Sequence, residues 1–255
     1  MRFISNDADV VAYVLAVEAA DGQRLEDGVI SAYESFITGC KTDSIWTAIK
    51  ASCILAGART LSGALVPLVG TAPTNANFVS GDYNRETGLL GNGSTKYLNA
   101  NRNNNADDRS NRHGAVFTTQ TATTNNRILY GAAWTSNNGN LIQRSSSTSY
   151  NTRASSGMSN ITVPSAATNG LVGITRSSSS GYVFLHGGIL YSLAVSSSNP
   201  FSSNSTIFAG IDALGTISGY NASRISFYSI GSGLDLALLD TRVTTLMTAL
   251  AAAIP

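Results

Sequence analysis

From about Arg59 onward, Gly, Asn, Ser and Thr punctuate brief alternating apolar runs, and this punctuation restricts the fold more than any other feature of the chain. Turn-forming residues recurring every few positions cut a helix before it can grow but suit short strands joined by tight turns. Arg127–Trp134, Leu171–Arg176, Tyr182–Leu185, Ile189–Val195, Thr206–Ile211 and Arg224–Ile230 read as strands. Their spacing points to an antiparallel sandwich or barrel rather than to alternating βα units. In "GYVFLHGGILYSLAV", His186-Gly187 falls between two apolar strands as a two-residue turn, with Gly187 supplying positive φ. The tracts Arg144–Ser156 and Ser196–Ser205 read as loops.

The first fifty residues and the last twenty obey a different period. Val10, Tyr13, Val14 and Val17 recur at helical spacing in Asp7–Ala20, with Asn6 as N-cap. Val29, Ile30, Tyr33 and Ile37 repeat the pattern in Glu26–Thr38, with Gly39 as a stop. Asp43 or Ser44 caps a third expected helix carrying Ile45, Trp46, Ile49 and Cys53. At the other end Leu239, Val243, Leu246, Met247 and Leu250 form one apolar stripe, with Asp235 and Asp240 towards the favourable N-terminal side of the dipole. Helices this short need a surface to pack on. The expected organisation is a helical segment over residues 1–52 and a β domain with a closing helix over 53–255.

Charge and cysteine content exclude several classes. Charged residues are 12% of 255, about half the usual share. The net charge of +1 gives no field that would gather nucleic acid or an anionic membrane. Asp7 and Asp9 occupy the place of an apolar leader core in Met1–Val10, and Arg59 interrupts the apolar run Ala51–Gly70, so neither a leader nor a membrane span is expected. Cys40 and Cys53 are read as reduced structural thiols, and the sequons at Asn92, Asn160, Asn204 and Asn221 as products of composition.

Catalytic constellations are missing from the sequence. His113 and His186 are the only histidines and stand apart from both cysteines, which disfavours zinc. There is no G-x-S-x-G elbow and no P-loop, and Gly88-x-x-Gly91-x-Gly93 precedes a strand-like segment rather than a helix. Asp82, Glu86, Asp107, Asp108 and Asp212 are the acids of the β region before the last helix, and none falls inside a clear strand, as a glycosidase pair would. Asp107-Asp108 reads as a solvated loop pair; a calcium ion would want further oxygens. Arg102, Arg109 and Arg112 interleave with asparagines in "NRNNNADDRSNRHG", a polar loop without base-stacking aromatics. Trp134 and the tyrosines at 97, 130, 150 and 182 could stack on a sugar, but at strand spacing they read first as core and cross-strand pairs. No catalytic, cofactor or metal residue is assigned, and no ligand-binding residue can be named.

Four stretches resemble a known superfamily. "GLLGNGSTKYLNANRN" resembles the early strand of laminin-G/concanavalin-like jelly rolls, and "NGLVGITRSSSSGYVFLHGGILYSL" resembles a second strand–loop–hairpin signature of that superfamily. "ISFYSIGSGLDLALLDTRVTTLMTAL" and "SIWTAIKASCILAGARTLSGALVPLVG" look like the closing strand and helix, and the lead-in, of versions in virion proteins of tailed bacteriophages, those of marine cyanobacteria in particular. The resemblance implies a mainly β, antiparallel two-sheet jelly roll with helical ends. It further implies a non-enzymatic structural protein on the outer surface of the virion: a capsid decoration, spike or tail-associated component that contacts other virion proteins and itself as a homo-oligomer. A glycan-binding receptor module of a tail fibre is the alternative. Some members bind glycans or calcium, but neither property maps onto named residues here.

Overall fold

The computed structural model describes residues 5–255; residues 1–4, the start of the stretch read for a leader, lie outside it. Within the described residues the helices are α1 (Ala8–Asp21), α2 (Asp27–Thr42), a single turn α3 (Leu61–Ala64) and α4 (Leu236–Ala253). The larger antiparallel sheet runs β13 (Ile189–Leu193), β12 (Tyr182–His186), β11 (Gly170–Arg176), β6 (Arg112–Gln120), β17 (Arg224–Gly231), β4 (Gly88–Leu90), β3 (Tyr83–Asn84), with β1 (Ile49–Ile54) also pairing β17. The smaller sheet runs β10 (Ser159–Thr162), β9 (Ser149–Ala154), β8 (Asn140–Ser146), β7 (Arg127–Ala132), β14 (Asn204–Ile207), β5 (Tyr97–Asn103), β2 (Thr74–Ala76). A two-strand flap, β15 (Gly210–Ile211) and β16 (Ile217–Ser218), stands outside both. This is the antiparallel two-sheet sandwich with helical ends that the sequence pattern and the resemblance both imply.

Three layers result. Between the sheets lie Val116, Ile174, Phe184 and Tyr228 from the larger and Leu98, Tyr130, Ile142, Tyr150 and Ile207 from the smaller. The opposite face of the larger sheet is apolar too, and Phe117, Leu171, Leu185 and Phe227 are covered there by α1, α2 and α4. Phe36 of α2 meets Phe227 edge-on at 5.6 Å. α4 crosses α2 closely enough that a Cβ on Gly39 would meet the Arg242 guanidinium 2.7 Å away. That guanidinium pairs with both oxygens of Asp43, Nε–Oδ2 2.7 Å and Nη2–Oδ1 2.8 Å, which ties the two ends of the chain together.

Several local expectations are corrected. The third helix is instead a 3-10 turn, Trp46–Ala48, leading into β1, so the 52/53 boundary falls inside a strand. β1 is buried at nearly every position, and a strand buried on both faces carries no two-residue alternation to mark it. Asp7 rather than Asn6 caps α1, accepting from the Asp9 and Val10 amides while its carboxylate also binds Lys41 at 2.6 Å. α2 runs through Gly39 to Thr42; that glycine serves the close helix crossing, not a stop. The hairpin turn is Gly187-Gly188, both at positive φ (57° and 72°), and His186 is the last residue of β12. Arg144–Ser156 is not a loop but the end of β8 and all of β9, and Thr206–Ile211 splits between β14 and β15. The apolar stripes of α1 and α2 are used inside the molecule: Val10, Val14, Val17, Val29, Tyr33, Phe36 and Ile37 are all buried in the cluster these helices form with the larger sheet and α4.

Truncating Phe36 to alanine is expected to cost about 3–5 kcal/mol in urea unfolding, because the lost ring leaves a cavity between helix and sheet. Deleting residues 1–42, or ending the chain before Leu234, uncovers Phe117, Leu185 and Phe227 and should give aggregated protein. A soluble fragment with unchanged melting would show that the helical layer is dispensable.

Candidate ligand-binding surface

Each acid of the β region has a structural partner or stands exposed. Asp82 is held by Lys96. Asp212 Oδ1 accepts the Leu214 and Thr216 amides at 2.8 Å each, closing the flap turn. Asp107 is not solvated as expected but is clasped by Arg102, with Nε–Oδ2 2.8 Å. Asp108 is exposed, and its Oδ1 accepts the Ser110 amide at 2.7 Å. The carbonyls of this loop face the buried Arg112: its Nε reaches Asp108 O at 3.1 Å, its Nη2 reaches Asp107 O, and its Nη1 reaches Asn104 Oδ1 at 3.0 Å. A cleft of about 450 Å³ opens beside Asn105–Arg109 and Asn199. The oxygens a calcium ion would need there already serve two guanidinium groups. Among the described residues no group of three or more His, Cys, Asp or Glu converges. Cys40 and Cys53 are free and buried, with burial pushing each thiol up to about 12.

Arginine burial is a general device in this molecule. Arg176 is completely buried, with its guanidinium 5.3 Å from the Tyr182 ring centroid. It donates to the carbonyls of Ala154 (2.8 Å), Ser178 (3.1 Å) and Val195 (2.8 Å), clamping three chain segments without a carboxylate. Arg153 donates to Ser136 O (2.6 Å) and Asn137 Oδ1 (3.2 Å) in the loop after β7, and its Nε meets no partner. Both histidines lie in strands. His113 bridges Ser232 O (2.6 Å) and Ser229 Oγ (2.7 Å); His186 stacks against Phe184 and Tyr150 with Nε2 unpartnered.

The remaining open chemistry lies on the outer face of the smaller sheet. Register places Asn160 of β10, Asn151 of β9 and Gln143 of β8 in one row. Asn160 Nδ2 donates to Asn151 Oδ1 (2.9 Å), and Asn151 Nδ2 donates to Gln143 Oε1 (3.0 Å). The chain of amides is therefore polarised, with a free Oδ1 acceptor at Asn160 and a free Nε2 donor at Gln143. Ser145 lies beside Asn160 (3.4 Å), and Arg153 stands in the next row, paired with Leu141. Towards β7 the face is covered: Trp134 and Ile128 pack where side chains on Gly210 and Gly219 would clash. Tyr130, Tyr150 and Tyr182 are buried between the sheets, as the core reading expected, whereas Tyr97 and Tyr220 remain half-buried at the far end of the face, 6.3 Å apart. The amide row escaped sequence reading because β9 lies inside the tract Arg144–Ser156, which reads as a loop.

No family model and no curated protein matches the chain. Solved structures do. The botulinum neurotoxin serotype D binding domain is similar over 78% of this chain and 51% of that one, at 14% identity and TM-score 0.50. A mutant NanB sialidase from Streptococcus pneumoniae gives TM-score 0.47 at 13% identity over 61% of this chain, which spans 27% of that protein. The Ruminococcus gnavus IT-sialidase CBM40 bound to alpha2,3 sialyllactose gives 0.38 at 11% identity, over 56% and 82% of the two chains. At these identities the likeness is one of fold, the antiparallel β-sandwich.

Burial draws His113 and His186 each down to about 4, so the folded protein keeps both imidazoles neutral while the unfolded chain protonates near pH 6.5. Stability is therefore expected to be flat above pH 6.5 and to fall as pH drops from 6.5 to 4. Asp7, Glu26 and Asp43, held low by Lys41, Arg85 and Arg242, weaken the fold only at still lower pH. Urea titrations at pH 7.5 and pH 4.5 test this, and His186→Phe should shrink the difference. Calcium and chelator should leave the melting temperature unchanged; a shift on adding calcium would contradict the arginine-clamped reading of Asp107-Asp108.

Proposed function

We propose that the chain is a non-enzymatic recognition module that takes a saccharide on the outer face of its smaller sheet, as part of a tail-associated component of a bacteriophage virion. The observation that carries the saccharide reading is the polarised row Asn160–Asn151–Gln143. Its free ends, an amide acceptor and an amide donor, match a sugar hydroxyl, which both donates and accepts. No acidic side chain of the β region lies in that row, so nothing there could act as a glycosidic acid or base. The virion setting rests on the sequence resemblance. A decoration or spike acting by protein contact is the second reading, favoured by the uncovered apolar edge at β13.

Binding is tested by calorimetry and glycan-array profiling of the full chain against bacterial and algal polysaccharides. Gln143→Ala and Asn160→Ala are expected to weaken a bound saccharide about tenfold each, since each removes one free end of the row, a hydrogen-bonding group worth about 1–1.5 kcal/mol. Binding unaffected by both would place the site elsewhere. The same polysaccharides should release no reducing ends; release abolished by one Asp or Glu substitution would make the chain an enzyme. Immunogold labelling of intact particles tests the virion setting separately.

A further inference from the structure

Exposed strand edges are a liability that folds normally blunt with short length, charge or proline. The two sheets end in four edges, of which β3 is two residues long, β2 three and β10 four. β3 is flanked by Asp82 and Arg85, and β10 carries Asn160. β1, off the main path, has its outer edge met by Leu68 N→Ser52 O (2.8 Å) and Ser52 N→Val69 O (3.0 Å). Among the described residues β13 is the exception: five residues, Ile-Leu-Tyr-Ser-Leu, with Ile189 48% and Leu190 50% exposed and no further strand beside it. From Ser177 to Ile211 the chain contains no Asp, Glu, Lys or Arg.

We infer that β13 is a self-pairing edge, through which two copies of this chain join their larger sheets around a twofold axis. The tight turn makes His186 and Ile189 a hydrogen-bonded pair, so Ile189, Tyr191 and Leu193 bond to β12. The backbone groups of Leu190 and Ser192 therefore point outward. The antiparallel register that overlaps the whole strand sets Tyr191 against its own copy and Leu190 against Ser192 of the second copy. Both Leu190–Ser192 pairs then exchange bonds, about four in all. Leu190 faces the helix layer, since its partner Leu185 packs there, while Tyr191 and Leu193 border the inter-sheet core. Each apolar residue thus continues an apolar layer, and Leu193 lies opposite Ile189. In a twofold contact the strip meets itself, so charges of one sign along it would face one another across the axis; a strip without charge fits a second copy and offers nothing to a charged partner. This pairing is independent of the saccharide row, which belongs to the other sheet.

Sedimentation velocity of the full chain over a wide concentration range is expected to show a monomer–dimer equilibrium. L190K/S192K and L190E/S192E should each raise the dissociation constant about tenfold or more while keeping the melting temperature, because both side chains point to solvent in the monomer. Mixing the two variants sets lysine opposite glutamate and should restore a dimer. Tyr191→Cys should cross-link across the axis on oxidation, since Cys40 and Cys53 are buried. Three outcomes would overturn the inference: a wild-type chain monomeric throughout, a dimer indifferent to L190K/S192K, or no cross-link.

Discussion

The structure depends on the larger sheet being apolar on both faces. One face closes the sandwich through Val116, Ile174 and Tyr228; the other presents Phe117, Leu171 and Phe227 and would be exposed in a bare two-sheet domain. That second face can be satisfied only by helices, and they come from opposite ends of the chain. α1 and α2 precede the first strand, and α4 follows the last. The two ends therefore become one layer, fixed by Phe36 on Phe227 and by Arg242 on Asp43. Burial of this kind, at about 25 cal/mol per Å² of apolar surface, dominates the surface ion pairs that decorate it.

The smaller sheet is built on the opposite plan. Its inner face is apolar, while its outer face carries an amide row at one end and is capped by Trp134 and the β15–β16 flap towards the middle. Loops at the ends of the sandwich are held by buried guanidinium groups that bond to carbonyls rather than to carboxylates. Arg176 joins the β9, β11 and post-β13 segments, and Arg112 fixes the turn before its own strand. Such a clamp satisfies several backbone acceptors at once, which suits a chain with few acids. The neutral surface left between these clamps is the setting for the proposed saccharide contact.

Arg127–Ala132 and Tyr182–His186 are buried at nearly every position, yet were legible because their β-branched and aromatic residues stand between Gly, Asn and Ser turns. β6 and β1 were not. They are equally buried, and the small and polar residues of "RHGAVFTTQ" and "IKASCI" leave neither that enrichment nor a two-residue period. Ile45, Trp46, Ile49 and Cys53 even fall at helical spacing by accident. The amide row was invisible for another reason: Gln143, Asn151 and Asn160 become neighbours only through strand register.

Periodicity, turn residues and composition are local properties, so the sandwich class and the helical ends could be read directly from the chain. Tertiary structure alone decided which face the helices cover, that His186 is buried rather than exposed in a turn, that Asp107 belongs to Arg102, and which strand is left as an open edge. Each of those depends on pairing between residues distant in the chain. The free energy of such pairs is set by burial and by the exclusion of water, which no single stretch of sequence carries.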